Sequence, residues 1–227
     1  MTIALQAKGL TKEFKGFIAV NNVDLSVKKG TIHALIGPNG AGKTTCFNLL
    51  TKFLQPTRGQ ITYEGRDITR MKPSEIARLG MVRSFQISAI FPDLTVLQNV
   101  RVALQRARGE SYDFWRSDRV LSKFDDQARE YIAEVGLSDL TDERAASLPY
   151  GRKRALEIAT TLALSPDMLL LDEPMAGMGR EDVERISQLI RRIAENRTVL
   201  MVEHNLSVVA ELSDHITVLA RGEILAE

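Results

Sequence analysis

The feature that most constrains the fold is a glycine-rich stretch, Gly37-Pro38-Asn39-Gly40-Ala41-Gly42-Lys43-Thr44-Thr45. It fits the pattern G-x-x-x-x-G-K-[ST] at every required position. The apolar run 31–36 in front of it predicts a buried strand, and residues 43–54 carry Phe47, Leu50 and Leu54 at helical spacing. The sequence therefore predicts a phosphate-binding loop between a strand and a helix.

The residue types in this loop suit the binding of a polyphosphate with Mg²⁺. Glycines allow backbone N–H groups to approach phosphate oxygens, and a helix that begins near Lys43 adds its N–H donors and positive dipole end. Lys43 supplies a mobile cation for the β- and γ-phosphates, Thr44 offers a hydroxyl to Mg²⁺, and Thr45 can donate to the α-phosphate. A turn that binds nothing would leave the Lys43 charge unexplained at the wrong end of a helix.

Length and composition favour one α/β domain with an inserted lobe. The 227 residues are enough to bury a core, and a net charge of +1 gives no overall field towards nucleic acid or anionic lipid. Cys46 is the only cysteine, so we expect no intrachain disulfide and a small buried side chain. The N-terminus does not resemble a signal peptide, and we expect a soluble protein because no apolar run approaches about 18 residues.

Two adjacent acids follow a continuous apolar run at residues 168–171. Such a run is typical of a strand buried in a parallel sheet, and ligands bind at the carboxyl ends of such strands. Hydrolysis of a nucleoside triphosphate requires a carboxylate near Mg²⁺ and a group that orients or deprotonates water. Asp172 and Glu173 can supply this pair. Two acids that only cap the next helix would need a partner cation, which makes that alternative weaker.

His204 ends the next buried strand pattern, at residues 198–202. A neutral imidazole there could contact a γ-phosphate oxygen or the attacking water. A histidine taken alone is more often structural, as we expect for His33 and His215.

Three further features leave alternatives open. Phe14 precedes the loop and either stacks on a base or is buried in a turn. Gln86, at the end of a predicted strand, either reaches a metal or water or lies on the surface. From residue 88 to 144 helical patterns dominate, which predicts a helical lobe, and the apolar loop 90–94 at its front edge forms either a docking surface or a local core contact.

Taken together and in this order, these features resemble the nucleotide-binding subunits of ATP-binding-cassette transporters, over nearly the whole chain. The resemblance implies an α/β P-loop NTPase with a mostly parallel core sheet, an N-terminal antiparallel β subdomain and an inserted helical lobe. It implies a single domain over residues 1–227, with the core at 1–86 and 146–227 and the lobe at 87–145.

The resemblance also implies a role for each site residue. Phe14 would stack on adenine, and Gln86 would sense Mg²⁺ and couple to the membrane subunit. Asp172 would hold Mg²⁺ through water, Glu173 would be the catalytic base, and His204 would contact the γ-phosphate. The cofactors implied are ATP and Mg²⁺.

Within the family, several stretches look like those of importers of branched-chain amino acids. They are Arg83-Ser84-Phe85-Gln86, the run from Leu94 to Val100, Tyr150-Gly151, Leu156-Glu157-Ile158-Ala159 and Val202-Glu203-His204-Asn205. Related importers take urea, amides or aromatic acids. The implied partners are a second ATPase subunit, a transmembrane permease and, indirectly, a solute-binding protein, with no nucleic acid. The implied location is peripheral, at the cytoplasmic face of the inner membrane.

The chain departs from the family at two places. The family signature Leu-Ser-Gly-Gly-Gln, which grips the γ-phosphate of the opposite subunit, reads Leu148-Pro149-Tyr150-Gly151-Arg152 here. A hydroxyl and one N–H donor are lost, while Gly151 and a helix expected to begin at Arg152 remain, so we expect a weaker but working trans site. Gly177-Met178-Gly179 stands where the family usually has Asp or Asn, which affects communication across the dimer.

Two other functions compete with this interpretation. A cassette ATPase without a membrane partner usually has two fused cassettes, a long coiled-coil insertion or a basic stripe, and none is visible in this near-neutral sequence. A regulator that binds nucleotide without hydrolysing it is disfavoured by Glu173 and His204.

Overall fold

A computed structural model describes residues 2–84, 90–107 and 123–227. The chain divides into two compact units. The first comprises residues 1–83, 167–174 and 190–227, and the second comprises residues 84–166 and 175–189.

The described helices and strands follow one another in an alternating order. They are β1 (Ile3–Phe14), β2 (Phe17–Lys28), β3 (Ile32–Ile36), α1 (Lys43–Leu50), β4 (Arg58–Tyr63), β5 (Arg66–Asp67), α2 (Pro73–Arg78), β6 (Met81–Ser84), α3 (Val96–Ala107), α4 (Asp125–Glu134), α5 (Tyr150–Leu162), β7 (Met168–Asp172), α6 (Arg180–Ala194), β8 (Thr198–Val202), α7 (Leu206–Leu212), β9 (His215–Ala220) and β10 (Glu223–Ala226).

The first unit begins with an antiparallel sheet in the order β2-β1-β4-β5. Strands β1 and β2 form a hairpin whose two turn residues, Lys15 and Gly16, have φ angles of 47° and 91°. Two successive positive φ angles are characteristic of a type I′ turn, which matches the twist of the strands. Both strands are longer than the alternation predicts, because the polar positions towards this turn are also paired.

A second sheet has the order β10-β9-β3-β8-β7-β6. Strand β3 runs parallel to β8 and β9, and β7 runs parallel to β8. Every residue of β7 and β8 is buried, as expected for central parallel strands covered on both faces. The predicted class, an α/β fold with a mostly parallel core sheet and an antiparallel β part, is therefore confirmed.

Helix α1 lies against the core of the first unit and ends earlier than predicted. Cys46 is fully buried, and burial raises the pKa of its thiol to about 12, so it is the expected small buried side chain. The hydroxyl of Thr51 donates to the carbonyl of Phe47 at 2.7 Å. Lys52 then adopts a φ of 62°, which ends the helix four residues before the apolar pattern predicts.

The second unit contains helices α3, α4 and α5, with α3 packed on both of the others. Asn99, in α3, is buried and pins the preceding loop through its amide. Its Nδ2 donates to the carbonyls of Phe91 and Thr95 at 3.0 and 2.9 Å, and its Oδ1 accepts from the Phe91 amide at 2.7 Å. Among the described helices, none is both long and apolar enough to cross a membrane.

Candidate nucleotide-binding site

Two glycines of the loop are required by close backbone contacts. A Cβ on Gly37 would lie 2.0 Å from the carbonyl oxygen of Leu219. Gly42 has a φ of 98°, and a Cβ there would lie 2.5 Å from the carbonyl oxygen of Ala19. Gly40 has a φ of 76° with open space around it. The loop shape is therefore accessible only to a chain with glycine at these positions.

Lys43 begins α1 and folds back across the loop. Its Nζ donates to the carbonyls of Gly37 at 2.7 Å and Pro38 at 3.0 Å, and the residue is buried. An ammonium group has three N–H donors, so one remains for a ligand. The first-turn amides of α1 have no acceptor within the helix, and the helix dipole makes this end positive. Thr44 is exposed beside them.

A turn from the other end of the chain supports the loop. The amide of Gly222, between β9 and β10, donates to the carbonyl of Ala41 at 2.9 Å. Its carbonyl accepts from the amide of Asn21 at 2.8 Å. Gly222 thus links β2 to the phosphate-binding loop. Sequence reasoning missed this role, for which the only local signal is a glycine between two strands.

Because β3, β8 and β7 are adjacent and parallel, the loop, Glu203-His204 and Asp172-Glu173 follow the same edge of one sheet. Asp172 is the last residue of β7 and is 2% exposed. Glu173 has a φ of 45°, a left-handed conformation that is uncommon for a non-glycine residue and concentrated at functional sites. Its amide donates to the carbonyl of Val202 at 2.9 Å, which ties it to β8.

His204 lies close to Glu173. Its Nδ1 is 4.0 Å from Oε1 of Glu173, too far for a hydrogen bond but close enough for both groups to act on one ligand. The carboxylate of the preceding Glu203 is buried and accepts from the amides of His204 at 3.1 Å and Asn205 at 3.4 Å. Glu203 therefore fixes the backbone that carries His204, a role that sequence reasoning missed.

Asp172 has a cationic partner that the sequence did not indicate. The guanidinium group of Arg83, in β6, donates to Oδ2 of Asp172 at 2.5 Å and to Oδ1 of Asn48, in α1, at 2.5 Å. The pair is almost fully buried, with side chains 10% and 2% exposed.

The remaining predicted residues of the first unit have different outcomes. Phe14 is 42% exposed, with the Nζ of Lys12 5.0 Å from its ring centroid. The alternative of a buried Phe14 is therefore wrong, and stacking on adenine stays a prediction. Gln86 lies outside the described residues. His33 is buried and bonds Thr217 at 2.7 Å, while burial and the nearby charges lower its pKa to about 4, as suits a structural histidine.

The segment 148–151 belongs to the second unit. Helix α5 begins at Tyr150, with Pro149 at its N-cap, and not at Arg152 as predicted. Proline fits this place because its fixed φ suits the start of a helix and no N–H is needed there. Leu148 is buried, Tyr150 is 58% exposed, and the Tyr150 hydroxyl donates to the carbonyl of Ala176 at 3.2 Å. A Cβ on Gly151 would lie 2.2 Å from Cγ of Asp182.

The residues present fit Mg²⁺ bound together with phosphate. No three histidine, cysteine, aspartate or glutamate residues that could hold a metal come together in the described part of the chain. Mg²⁺ commonly uses only one or two carboxylates together with substrate phosphates and water. An exposed Thr44 hydroxyl at the loop and the Asp172 carboxylate at the same sheet edge form a donor set of that kind.

The fold and this loop define a P-loop protein that binds a nucleoside triphosphate. The family model described as ABC transporter matches residues 20–176, and the chain belongs to this family of ATPases. It is 39% identical to the high-affinity branched-chain amino acid transport ATP-binding protein BraF of Pseudomonas aeruginosa, over 98% of this chain and 90% of that protein. It is 38% identical to LivG of Escherichia coli, a protein of the same description, over the same shares of the two chains.

Solved structures of cassettes agree with the fold. A nucleotide-free ATP-binding cassette from an ABC transporter is similar with a TM-score of 0.86 and 30% identity, over 99% of this chain and 90% of that one. The ADP conformation of an ATP-binding cassette has a TM-score of 0.87 and 30% identity, over 100% and 91%. A dimeric post-hydrolysis cassette bound to ADP and phosphate has a TM-score of 0.80 and 26% identity, over 98% and 97%.

Proposed function

We propose that this chain hydrolyses ATP to power a membrane importer of branched-chain amino acids or of a related small polar or organic-acid solute. The observation that carries the proposal is the common sheet edge of the first unit, where the Lys43 loop, Glu173 and His204 follow three adjacent parallel strands. The names of the similar proteins support the cargo.

In the proposed reaction, the loop amides and the remaining N–H of Lys43 bind the β- and γ-phosphates. Glu173 accepts a proton from the attacking water while the water oxygen bonds to the γ-phosphorus and the bond to the bridging oxygen breaks, which leaves ADP and phosphate. His204 hydrogen-bonds a γ-phosphate oxygen or the water. Thr44 and Asp172 would hold Mg²⁺, with Gln86 as a further candidate, and the metal supplies neutralisation of phosphate charge.

Two protein partners belong to this proposal. A second ATPase subunit would offer its bound ATP to the segment from Leu148 to Gly151. A transmembrane permease would dock on the lobe at 87–145, where Phe91 is 51% exposed on a loop that Asn99 holds in place. The subunit would then lie peripherally at the cytoplasmic face of the inner membrane, with a solute-binding protein as an indirect partner.

The catalytic part is tested by Glu173→Gln. Loss of the general base should lower steady ATP turnover by roughly 10²–10⁴-fold, while the affinity for fluorescent ATP stays within a few-fold. Glu195→Gln, at an exposed acid in the first unit, is the matched control and should turn over normally. Unchanged turnover in Glu173→Gln would remove Glu173 from this role.

The transport part is tested in cells. Deletion of the gene should abolish energy-dependent uptake of radiolabelled leucine, and the unsubstituted chain but not Glu173→Gln should restore it. Affinity purification from membranes in mild detergent should recover multi-span proteins. Unaltered uptake would reject this cargo, and recovery only with soluble assemblies would favour a cassette ATPase without a membrane partner.

A further inference from the structure

Arg83 holds the carboxylate that is proposed to face Mg²⁺. Its two terminal nitrogens contact different partners, Asp172 at 2.5 Å and Asn48 at 2.5 Å. Its guanidinium carbon lies 5.2 Å from the ring centroid of Phe47 and 5.8 Å from that of Phe53. The cation is therefore fixed from several sides and does not swing freely beside the acid.

We propose that Arg83 is a positioning residue that serves as the resident counter-ion of Asp172 and competes with Mg²⁺ for it. The inference rests on the proposed function, because it takes Asp172 as a ligand-side carboxylate. A buried carboxylate is costly without a cation, so Arg83 stabilises the nucleotide-free protein. The same charge opposes a second cation at the same carboxylate, so Arg83 raises the Mg²⁺ concentration needed to hold the nucleotide.

Two substitutions at this position separate charge from geometry. Arg83→Gln removes the charge and keeps N–H donors, whereas Arg83→Lys keeps the charge and loses the fork that reaches two partners at once. We measure binding of a fluorescent ATP analogue against free Mg²⁺ in the Glu173→Gln background, which suppresses turnover. Because one unit charge beside a partly screened site changes cation affinity strongly, Arg83→Gln should lower the half-saturating Mg²⁺ concentration about tenfold. Arg83→Lys should stay within about twofold of the parent.

Arg154→Gln is the matched control. Its ion pair with Glu157, at 2.6 Å, is buried to a similar degree, with side chains 7% and 8% exposed, but it lies within α5 of the second unit. Thermal melting should show that Arg154→Gln and Arg83→Gln both lose stability without Mg²⁺. Only Arg83→Gln should gain more stabilisation than the parent when Mg²⁺ and ATP are added.

Several results would overturn the inference. They are an unchanged or higher half-saturating Mg²⁺ concentration in Arg83→Gln, a tenfold fall in Arg83→Lys, and binding in the parent that does not depend on Mg²⁺. If Arg83→Gln does not fold, the Arg83→Lys result decides. Failure of leucine uptake with intact Mg²⁺-dependent binding would refute the proposed transport function and leave this inference standing.

Discussion

Gly222→Ala tests whether the turn between β9 and β10 fixes the shape of the phosphate-binding loop. Gly222 has a φ of 82°, and a Cβ there would lie 2.8 Å from the carbonyl oxygen of Ala19 and 3.3 Å from Cα of Val20. Both neighbours are backbone atoms of β2, so no flexible side chain can move to make room. The turn has to shift, and its amide bond to the Ala41 carbonyl shifts with it.

The size of the effect follows from two separable costs. A left-handed backbone at alanine costs about 1 kcal/mol, and forcing a methyl group against fixed backbone adds about 1–3 kcal/mol. Gly65→Ala isolates the first cost, because Gly65 has a φ of 76° and nothing within 4 Å of a Cβ. We expect urea unfolding to show a loss of about 2–4 kcal/mol for Gly222→Ala and about 1 kcal/mol for Gly65→Ala.

The functional consequence should separate the two variants further. A displaced loop misplaces the phosphates, so ATP turnover per folded molecule should fall by up to about 10²-fold in Gly222→Ala and stay unchanged in Gly65→Ala. Equal stability losses in the two variants would refute the steric argument. Normal turnover in a folded Gly222→Ala protein would refute the role of this turn in shaping the loop.

Three further predictions concern other parts of the molecule. Asn99→Ala should cost about 2 kcal/mol in urea unfolding and abolish stimulation of the ATPase by the permease, with basal turnover kept, since loop 90–94 loses its amide anchors; retained stimulation would contradict this. Gly151→Ala should destabilise, but in an Asp182→Ala background it should stabilise by about 1 kcal/mol, because the clash is gone and alanine favours the helix; the same sign in both backgrounds would refute the contact. The pKa of His33 is lowered from 6.5 to about 4, so the unfolded chain binds its proton first and the stability present above pH 6.5 is lost, by about 3 kcal/mol, as the pH falls to 4. His33→Gln should flatten that part of the pH dependence of urea unfolding, and an unchanged slope would contradict the argument.

The parts of the site that the sequence predicted depend on local pattern. The phosphate-binding loop is one continuous motif, and Asp172 and Glu173 follow a strand whose uninterrupted apolar run identifies it without any partner. The structure has β7 and β8 as predicted, and the acids stand at their carboxyl ends. Element ends were less predictable: α1 stops at Leu50 because Lys52 takes a left-handed conformation, which apolar spacing does not encode.

The parts that the sequence did not predict depend on strand order. Arg83 meets Asp172 because β6 and β7 are neighbours, although the two residues lie 89 positions apart in the chain. Gly222 meets the loop because β9 lies beside β3. Strand order in a parallel sheet is set by crossover connections and core packing, so no short motif carries it. Glu203 is different, because its neighbours are adjacent in the chain and only its burial was unforeseen.

The departures at 149–151 acquire a physical meaning from the helix that follows them. Proline at the N-cap still offers its carbonyl to the amide of Lys153 at 2.9 Å, so the helix begins without the serine that the family uses. Gly151 is retained because the Asp182 carboxylate occupies the space of a side chain. The first-turn amides and the positive helix end therefore persist, and only one hydroxyl and one N–H are lost. If a phosphate of a second subunit binds here, backbone donors hold it, and the contact is weakened but not abolished.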